Sequence, residues 1–315
     1  MTVAHGIGLG ERTSTEVADD GGPGAGRQGP PPPRGRRLTP YLLLLPGLGW
    51  LAVFFAVPIV TLVSTSTQTR PAGSEIGTYV QTFRLANYVD ALTEYATQFS
   101  RSFVYALLAT VLALVISYPL AYAIAFKAGR WRNLLLVLVV APFFTSFLLR
   151  TIAWKQILAD GGWVADALRF VHVIQPGDHI INTPAAVVIG ITYNFLPFMV
   201  LPIYASLERV DPRFMEAAGD LYADALTTFR KVTLPLSMPG VVAGTLLTFI
   251  PAAGDYVNSA LLGNRDTTMV GNVIDSRFLR VVDYPTAAVL SVVLMVSILV
   301  LVAAYIRRAG TEELV

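Results

Sequence analysis

The sequence contains no cysteine and is poor in charge: of its 315 residues, only 14% are Asp, Glu, Lys or Arg, whereas soluble domains contain about 25%. Without cysteine there are no disulfide bonds, thiolate nucleophiles or cysteine metal sites. The net charge of +2 is too small to indicate a nucleic-acid-binding surface. None of the three lysines follows a glycine, which excludes a GxxxxGK[ST] phosphate-binding loop.

The charged residues are unevenly distributed: they lie in short segments between long apolar runs. Hydrophobic residues make up 54% of the chain. A helix of about 20 apolar residues spans the hydrocarbon core of a bilayer. The pattern therefore predicts an all-α polytopic membrane protein with about six transmembrane helices. Their predicted bounds are 41–63, 103–126, 134–152, 184–207, 236–257 and 286–306.

The predicted orientation follows from the basic residues. Residues 1–40 are rich in Gly, Pro and Arg, which predicts a disordered tail. If this tail is cytoplasmic, 14 of the 23 Lys and Arg residues lie in cytoplasmic segments, so both termini are predicted inside. In the long outer connections, "LANYVDALTEYATQF" and "GGWVADALRFVHVI" are predicted to form interfacial helices and a docking surface.

The cytoplasmic connection 208–235 is predicted to contain two short helices. Asp211 followed by Pro212 is typical of a helix start, and Gly219 or Tyr222 is expected to mark a bend. The second predicted helix places Leu221, Ala225, Phe229 and Val232 on one face. From the residues alone, this segment could lie on the membrane surface, serve as a charged connector or dock onto another protein.

The connection and the start of the next span carry a motif at fixed spacing: Glu216-Ala217-Ala218, Asp220-Leu221, Ala223, Phe229, Val232, Leu234-Pro235 and Pro239-Gly240. In this motif the chain resembles the EAA loop of ATP-binding-cassette importer permeases. The resemblance implies a type I importer-permease fold and a coupling helix that sits in the groove of a separate ATPase. That family usually has glycine at the position of Tyr222, so we hypothesise either that the bend moves to Gly219 or that Tyr222 stays helical and fills part of the groove. The implied coupling residues are Glu216, Ala217, Ala218, Gly219, Asp220, Tyr222, Ala223, Phe229 and Pro235.

Residues 141–158 and 249–274 further resemble spermidine/putrescine-type importer permeases. This implies a plasma-membrane protein that works with a second homologous permease, an external binding protein and an ATPase, the ATPase alone binding ATP and Mg. No cofactor is expected in this chain. Other small organic solutes or metal complexes remain alternative substrates.

Asp255 is the one carboxylate inside a predicted span, and intramembrane ionisable residues are candidate functional groups. Its alternatives are an interfacial role or a structural ion pair with Arg150. With Asp255, the substrate-path candidates are Tyr256, Phe143 and Tyr193, although aromatic residues also serve ordinary helix packing.

Other functions find less support. His172, Asp178 and His179 are interpreted as solvated loop residues, so neither a metal site nor a catalytic residue is predicted. An intramembrane enzyme would need a nucleophile with a base or a metal at mid-depth, and a proton-coupled carrier would need several buried carboxylates. Gly240 and Gly244 fit a GxxxG pattern that predicts close helix packing.

Overall fold

The computed structural model describes residues 39–170, 172, 175 and 177–309, which are mostly α-helical. Of the predicted disordered tail, only residues 39 and 40 are described, and they begin the first helix. One short antiparallel hairpin pairs β1 (Gln68–Thr69) with β2 (Val80–Gln81). The α-helices are α1 (Thr39–Leu51), α2 (Val57–Ser66), α3 (Ala86–Tyr122), α4 (Arg132–Val140), α5 (Phe147–Ile157), α6 (Trp163–Phe170), α7 (Pro184–Glu208), α8 (Arg213–Asp220), α9 (Ala225–Thr228), α10 (Leu234–Ala253), α11 (Val257–Leu262), α12 (Val270–Asp275) and α13 (Tyr284–Ala309).

The helices confirm the predicted all-α polytopic class. Five helical stretches of the described residues are long and apolar enough to cross a membrane, and a bent pair gives a sixth candidate. Single π-helical turns extend several of them. The five stretches are Leu44–Ser66, Ala86–Lys127, Pro184–Glu208, Ala225–Ala253 and Tyr284–Arg308.

The chain divides into two compact units, the first ending at Phe55 and the second beginning at Ala56. Within the first unit, the ring of Trp50 stacks on that of Phe54, with 4.0 Å between the ring centroids. All contacts described below belong to the second unit.

The predicted third span, 134–152, is not one straight helix. Its two halves, Gly129–Phe144 and Phe147–Ile157, meet at an angle of 99°. Pro142 has no N–H to donate within a helix, and the hydroxyl of Thr145 donates to the Pro142 carbonyl oxygen at 2.7 Å. Thr145 and Ser146 then both have extended ψ angles, 147° and 139°. These two residues end one helix and turn the chain before α5 begins.

The core of the second unit lies around α7, which packs against α3 and α10. The side chains of Val187, Ile191 and Met199 on α7 are fully buried. A Cβ atom at Gly240 would lie 2.5 Å from the Pro202 carbonyl oxygen, and one at Gly244 would lie 2.9 Å from the Met199 sulfur. The GxxxG pattern therefore does allow α10 to pack closely on α7, as predicted.

The two fragments predicted as interfacial helices differ in the structure. "LANYVDALTEYATQF" is not a separate helix, because α3 starts at Ala86 and continues through the apolar run, with a kink at Tyr95. The kink residue has φ −110° and ψ 16°. The second fragment contributes the separate eight-residue helix α6.

Candidate coupling surface and polar cluster

The coupling segment, residues 211–235, begins with the helix start that the sequence predicts. The carboxylate of Asp211 accepts a hydrogen bond from the Arg213 amide at 2.9 Å, which satisfies one of the free N–H groups at the start of α8. Pro212 precedes the helix, where a missing N–H is harmless. The acceptor and the proline together fix where α8 begins.

The bend of the coupling segment lies at Tyr222, which has φ +59°. The Ala223 amide donates to the Ala218 carbonyl at 3.0 Å, and the Tyr222 amide donates to the Gly219 carbonyl at 2.9 Å. This is a Schellman motif, which usually has glycine at the left-handed position. The displaced bend is wrong, because Gly219 lies inside α8, and a helical Tyr222 is wrong, because its φ is positive. The bend falls at Tyr222, the other position that the sequence allowed, and a place for its ring in the ATPase groove stays a prediction.

The turn also divides the helical face that the sequence predicts. Because α8 ends before Tyr222 and α9 begins at Ala225, Leu221 is not in the same helix as Ala225. Leu221 and Ala225 are exposed, whereas Phe229 and Val232 are half-buried. Only the second half of the predicted face contacts the helix bundle.

Large apolar side chains are exposed along the coupling segment. The exposed fraction is 98% for Tyr222, 81% for Leu221, 61% for Leu226 and 57% for Phe214. Ala218, by contrast, is buried. Of the other predicted coupling residues, Ala223 and Phe229 are half-buried, and the exposed ones are Glu216, Ala217, Gly219, Asp220 and Pro235. Such a concentration of exposed apolar groups on a charged segment is typical of a protein-binding surface.

Phe229 connects the coupling segment to the helix bundle. Its ring meets the ring of Tyr118 on α3 edge-on, with centroids 5.4 Å apart. The Tyr118 hydroxyl is hydrogen-bonded to the Ser237 hydroxyl on α10 at 2.7 Å. Nearby, Arg132 pairs with Glu208 at the end of α7. The segment is thus anchored to α3 and α10, and its entry is held by α4.

Asp255 lies beyond the end of α10 in a polar cluster, which we define as Thr151, Asn194, Asp255 and Asn258. All four side chains are buried. The Asp255 carboxylate accepts hydrogen bonds from the backbone N and the side-chain Nδ2 of Asn258, at 2.8 and 2.9 Å. The carboxylate therefore caps the short helix α11, a structural role that the sequence did not indicate.

The rest of the cluster joins α5, α7 and α11. Asn194 Nδ2 donates to Thr151 Oγ1 at 3.1 Å and to Asn258 Oδ1 at 3.0 Å, while Asn194 Oδ1 is buried without a partner. Sequence reasoning missed Thr151, Asn194 and Asn258. The available signal was their uncharged polar character within or beside apolar runs.

Arg150 does not pair with Asp255, because none of the ion pairs among the described residues includes this carboxylate. Its guanidinium instead lies over the rings of Phe143 and Phe147, at 5.7 and 5.6 Å from their centroids. Arg150 Nε and Nη1 are buried without hydrogen-bond partners. The proposed Arg150–Asp255 ion pair is therefore wrong.

Two of the other substrate-path candidates pack against another aromatic ring, and the third has an exposed ring. Phe143 packs on Phe198 with centroids 5.0 Å apart, and Tyr193 packs edge-on against Trp154 at 5.2 Å. Tyr256, next to Asp255, is 47% exposed. Tyr256 is thus the candidate ring that is most open to a ligand.

The three loop residues considered for metal binding do not form a site. His179 Nδ1 lies 2.7 Å from Asp160 Oδ2, and Asp178 accepts from the Gln175 amide at 3.0 Å. Within the described part of the chain, no three His, Asp or Glu side chains are grouped as a metal site requires.

The sequence matches a known protein family and several of its members. Residues 117–309 match the family model described as "Binding-protein-dependent transport system inner membrane component". The spermidine/putrescine transport system permease protein PotB of Escherichia coli (strain K12) is 38% identical over 263 residues, which cover 83% of this chain and 94% of that protein. The PotB protein of Haemophilus influenzae is 41% identical over 178 residues, 56% of this chain and 62% of that protein.

A solved structure has the same fold. The crystal structure of a bacterial ABC transporter that imports the acidic polysaccharide alginate contains a chain that superposes with a TM-score of 0.61 at 17% identity. The alignment covers 85% of this chain and 94% of that one. The helical architecture is that of an ABC importer permease, a multi-pass membrane transport subunit. The chain belongs to the family of binding-protein-dependent transport system inner membrane components.

Proposed function

We propose that this permease imports polyamines of the spermidine/putrescine type. The observation that carries the proposal is the 38% identity to PotB across 94% of the length of that protein. Among the described residues, Asp255 of the polar cluster is a buried carboxylate near the end of α10, and the half-exposed Tyr256 follows it in the sequence. Ammonium groups bind to carboxylates and to aromatic faces. Import of another small organic solute or a metal complex remains the alternative.

We further propose that the coupling segment docks onto a separate ATPase chain, which binds ATP and Mg. The exposed side chains of Phe214, Leu221 and Tyr222 support a docking role, because apolar and aromatic side chains dominate protein interfaces. A second homologous permease completes the path, and an external binding protein delivers the substrate. In this arrangement both termini are cytoplasmic.

Uptake of radiolabelled spermidine by proteoliposomes that contain the whole importer, with and without the binding protein, tests the substrate. We expect uptake that unlabelled putrescine inhibits. In the Asp255→Asn variant we expect uptake to fall, and uptake equal to the wild type would exclude an essential role for this carboxylate. If the binding protein binds another solute and no polyamine, the substrate proposal is wrong.

The orientation can be tested directly, because the chain has no native cysteine. In Tyr222→Cys, a membrane-impermeant maleimide should label inverted vesicles and leave intact spheroplasts unlabelled. Phe83→Cys is the matched control: Phe83 is 76% exposed in the connection between α2 and α3, so the opposite pattern is expected. Labelling of Tyr222→Cys from outside would overturn the coupling proposal.

A further inference from the structure

Two cavities adjoin at the end of the bundle where α3 and α13 begin. One has a volume of about 440 Å³ and the other of about 720 Å³, both within the range of small-molecule sites. Gln68 and Tyr79 line both cavities, so the two are direct neighbours that share these side chains. We call them the polar cavity and the apolar crevice.

The polar cavity contains an arginine whose charge is not neutralised by a neighbouring carboxylate. Arg70 Nη2 donates to the Ser74 carbonyl oxygen at 2.7 Å, and Arg70 forms none of the ion pairs found among the described residues. A guanidinium carries five N–H donors in a planar fork that matches phosphate. Arg70 can therefore bind an anionic group that enters this cavity.

Two carboxylates that line the polar cavity share a single guanidinium. Arg277 is shared by two carboxylates: its guanidinium lies 3.0 Å from Glu94 and 3.4 Å from Asp283. Both of these acids line the cavity, and one guanidinium balances only one of their charges. The other arginine of the cavity, Arg84, is neutralised by Asp90 at 3.0 Å. The cavity thus offers an uncompensated positive group and an uncompensated negative group.

Tyr79 stands at the junction of the two cavities. Its hydroxyl donates to the Val282 carbonyl at 2.5 Å. Burial, reinforced by the nearby carboxylate of Asp283, raises the pKa of Tyr79. The hydroxyl therefore stays protonated, and the ring presents an apolar face to the crevice while its polar end stays bonded.

The apolar crevice runs between α2 and α13. Its lining includes Leu62, Ile274, Phe278, Ala287 and Ala288. Both helices belong to the apolar stretches that are able to cross a membrane. A hydrocarbon chain of the surrounding bilayer can therefore enter the crevice without leaving the membrane.

We propose that the two cavities together bind one zwitterionic phospholipid with a primary ammonium headgroup. Its phosphate binds to Arg70, its ammonium binds to the carboxylates of Glu94 and Asp283 beside Arg277, and one acyl chain lies in the crevice. A free polyamine would use the carboxylates, but neither Arg70 nor the apolar crevice matches its chemistry. The proposal is independent of the transported substrate, because the lining of the two cavities includes no residue of the polar cluster.

Native mass spectrometry of the detergent-purified importer, after exchange into mixed micelles of phosphatidylethanolamine, phosphatidylcholine and phosphatidylglycerol at equal amounts, tests the proposal. We expect one phosphatidylethanolamine to be retained per permease chain. Arg70→Ala should lower this retention about fivefold. Ser291→Leu, at a half-buried position that lines the crevice, should lower it by filling the crevice. Arg265→Ala is the matched control, because Arg265 is exposed and lies outside both cavities.

Several outcomes would overturn the proposal. They are equal retention of all three lipids, equal retention in Arg70→Ala and in Arg265→Ala, or displacement of the lipid by millimolar spermidine. The last result would assign the polar cavity to the polyamine instead. Spermidine uptake is measured separately in proteoliposomes, so a failed lipid site and a failed substrate assignment remain distinguishable.

Discussion

The polar groups of the coupling segment and those of the polar cluster have their hydrogen-bond partners at very different distances along the sequence. At the Tyr222 turn, the backbone amides of residues 222 and 223 bond to carbonyls no more than five residues earlier, and the side chains are left free. In the polar cluster, Asn194 bonds to Thr151 and to Asn258, which are 43 and 64 residues away in the sequence. The first arrangement exposes a surface for a partner, whereas the second fixes three helices to one another.

This difference predicts which residues can be replaced without loss of stability. A residue whose side chain contacts nothing in its own chain can be replaced without unfolding the protein, so its loss should appear in partner binding. A residue that bridges buried helices should affect stability first. The predictions below test whether the two regions separate in this way, starting with the largest effect.

Asn258→Ala should have the largest effect on stability. It removes the side-chain donor to the Asp255 carboxylate and the acceptor for Asn194, which leaves buried polar groups without partners. We expect a loss of about 3 kcal/mol in the free energy of unfolding, measured by denaturant titration in detergent micelles. Tyr256→Phe is the control, since this exposed ring should be replaceable without loss. An unchanged midpoint for Asn258→Ala would remove the structural role assigned to the cluster.

Tyr222→Ala should have the largest effect on partner binding. An exposed aromatic residue at the centre of an interface contributes about 2 kcal/mol, so the affinity for the ATPase should fall about thirtyfold. Surface plasmon resonance with the purified ATPase measures this change, and the unfolding midpoint serves as the internal control. If affinity is unchanged, or if stability and affinity fall together, the proposed separation of the two regions is incorrect.

Tyr222→Gly should have the smallest effect on stability. It separates the role of Tyr222 in the turn conformation from its role in binding the ATPase. Glycine adopts the left-handed conformation without steric penalty, so the variant should gain about 1 kcal/mol of stability while losing affinity for the ATPase. Leu221→Gly is the matched control: Leu221 has φ −87°, so glycine there brings no relief. A Tyr222→Gly variant that is no more stable than the wild type would contradict the strain expected at this turn.

The sequence predicted the regular features whose causes are local. Apolar run lengths gave the class and most of the helices, Asp211 and Pro212 gave the start of α8, and the two glycines of α10 gave a close helix contact. In each case the physical cause lies within a few residues of the effect.

The features that were missed depend on neighbours distant in the sequence or on competition between local preferences. The bend at Thr145 interrupts a run that is apolar enough for a straight span. Asp255 was recognised as unusual, but its partner is Asn258, three residues later on α11, and the pairing with Arg150 was wrong. At Tyr222, the preference of tyrosine for negative φ predicted a displaced bend, yet the hydrogen bonds of the Schellman motif hold the residue in the left-handed region.

The length of α3 has a mechanical consequence. A kink at Tyr95 divides its 37 residues, and the part after the kink, residues 96–122, extends about 40 Å, more than the thickness of the hydrocarbon core. Asp90 and Glu94 near its start line the polar cavity, and Tyr118 near its end touches Phe229. If the proposed ATPase docks on the coupling segment, a displacement at Phe229 would reach α3 through Tyr118, and the kink at Tyr95 would be the hinge between this helix and the part that lines the polar cavity.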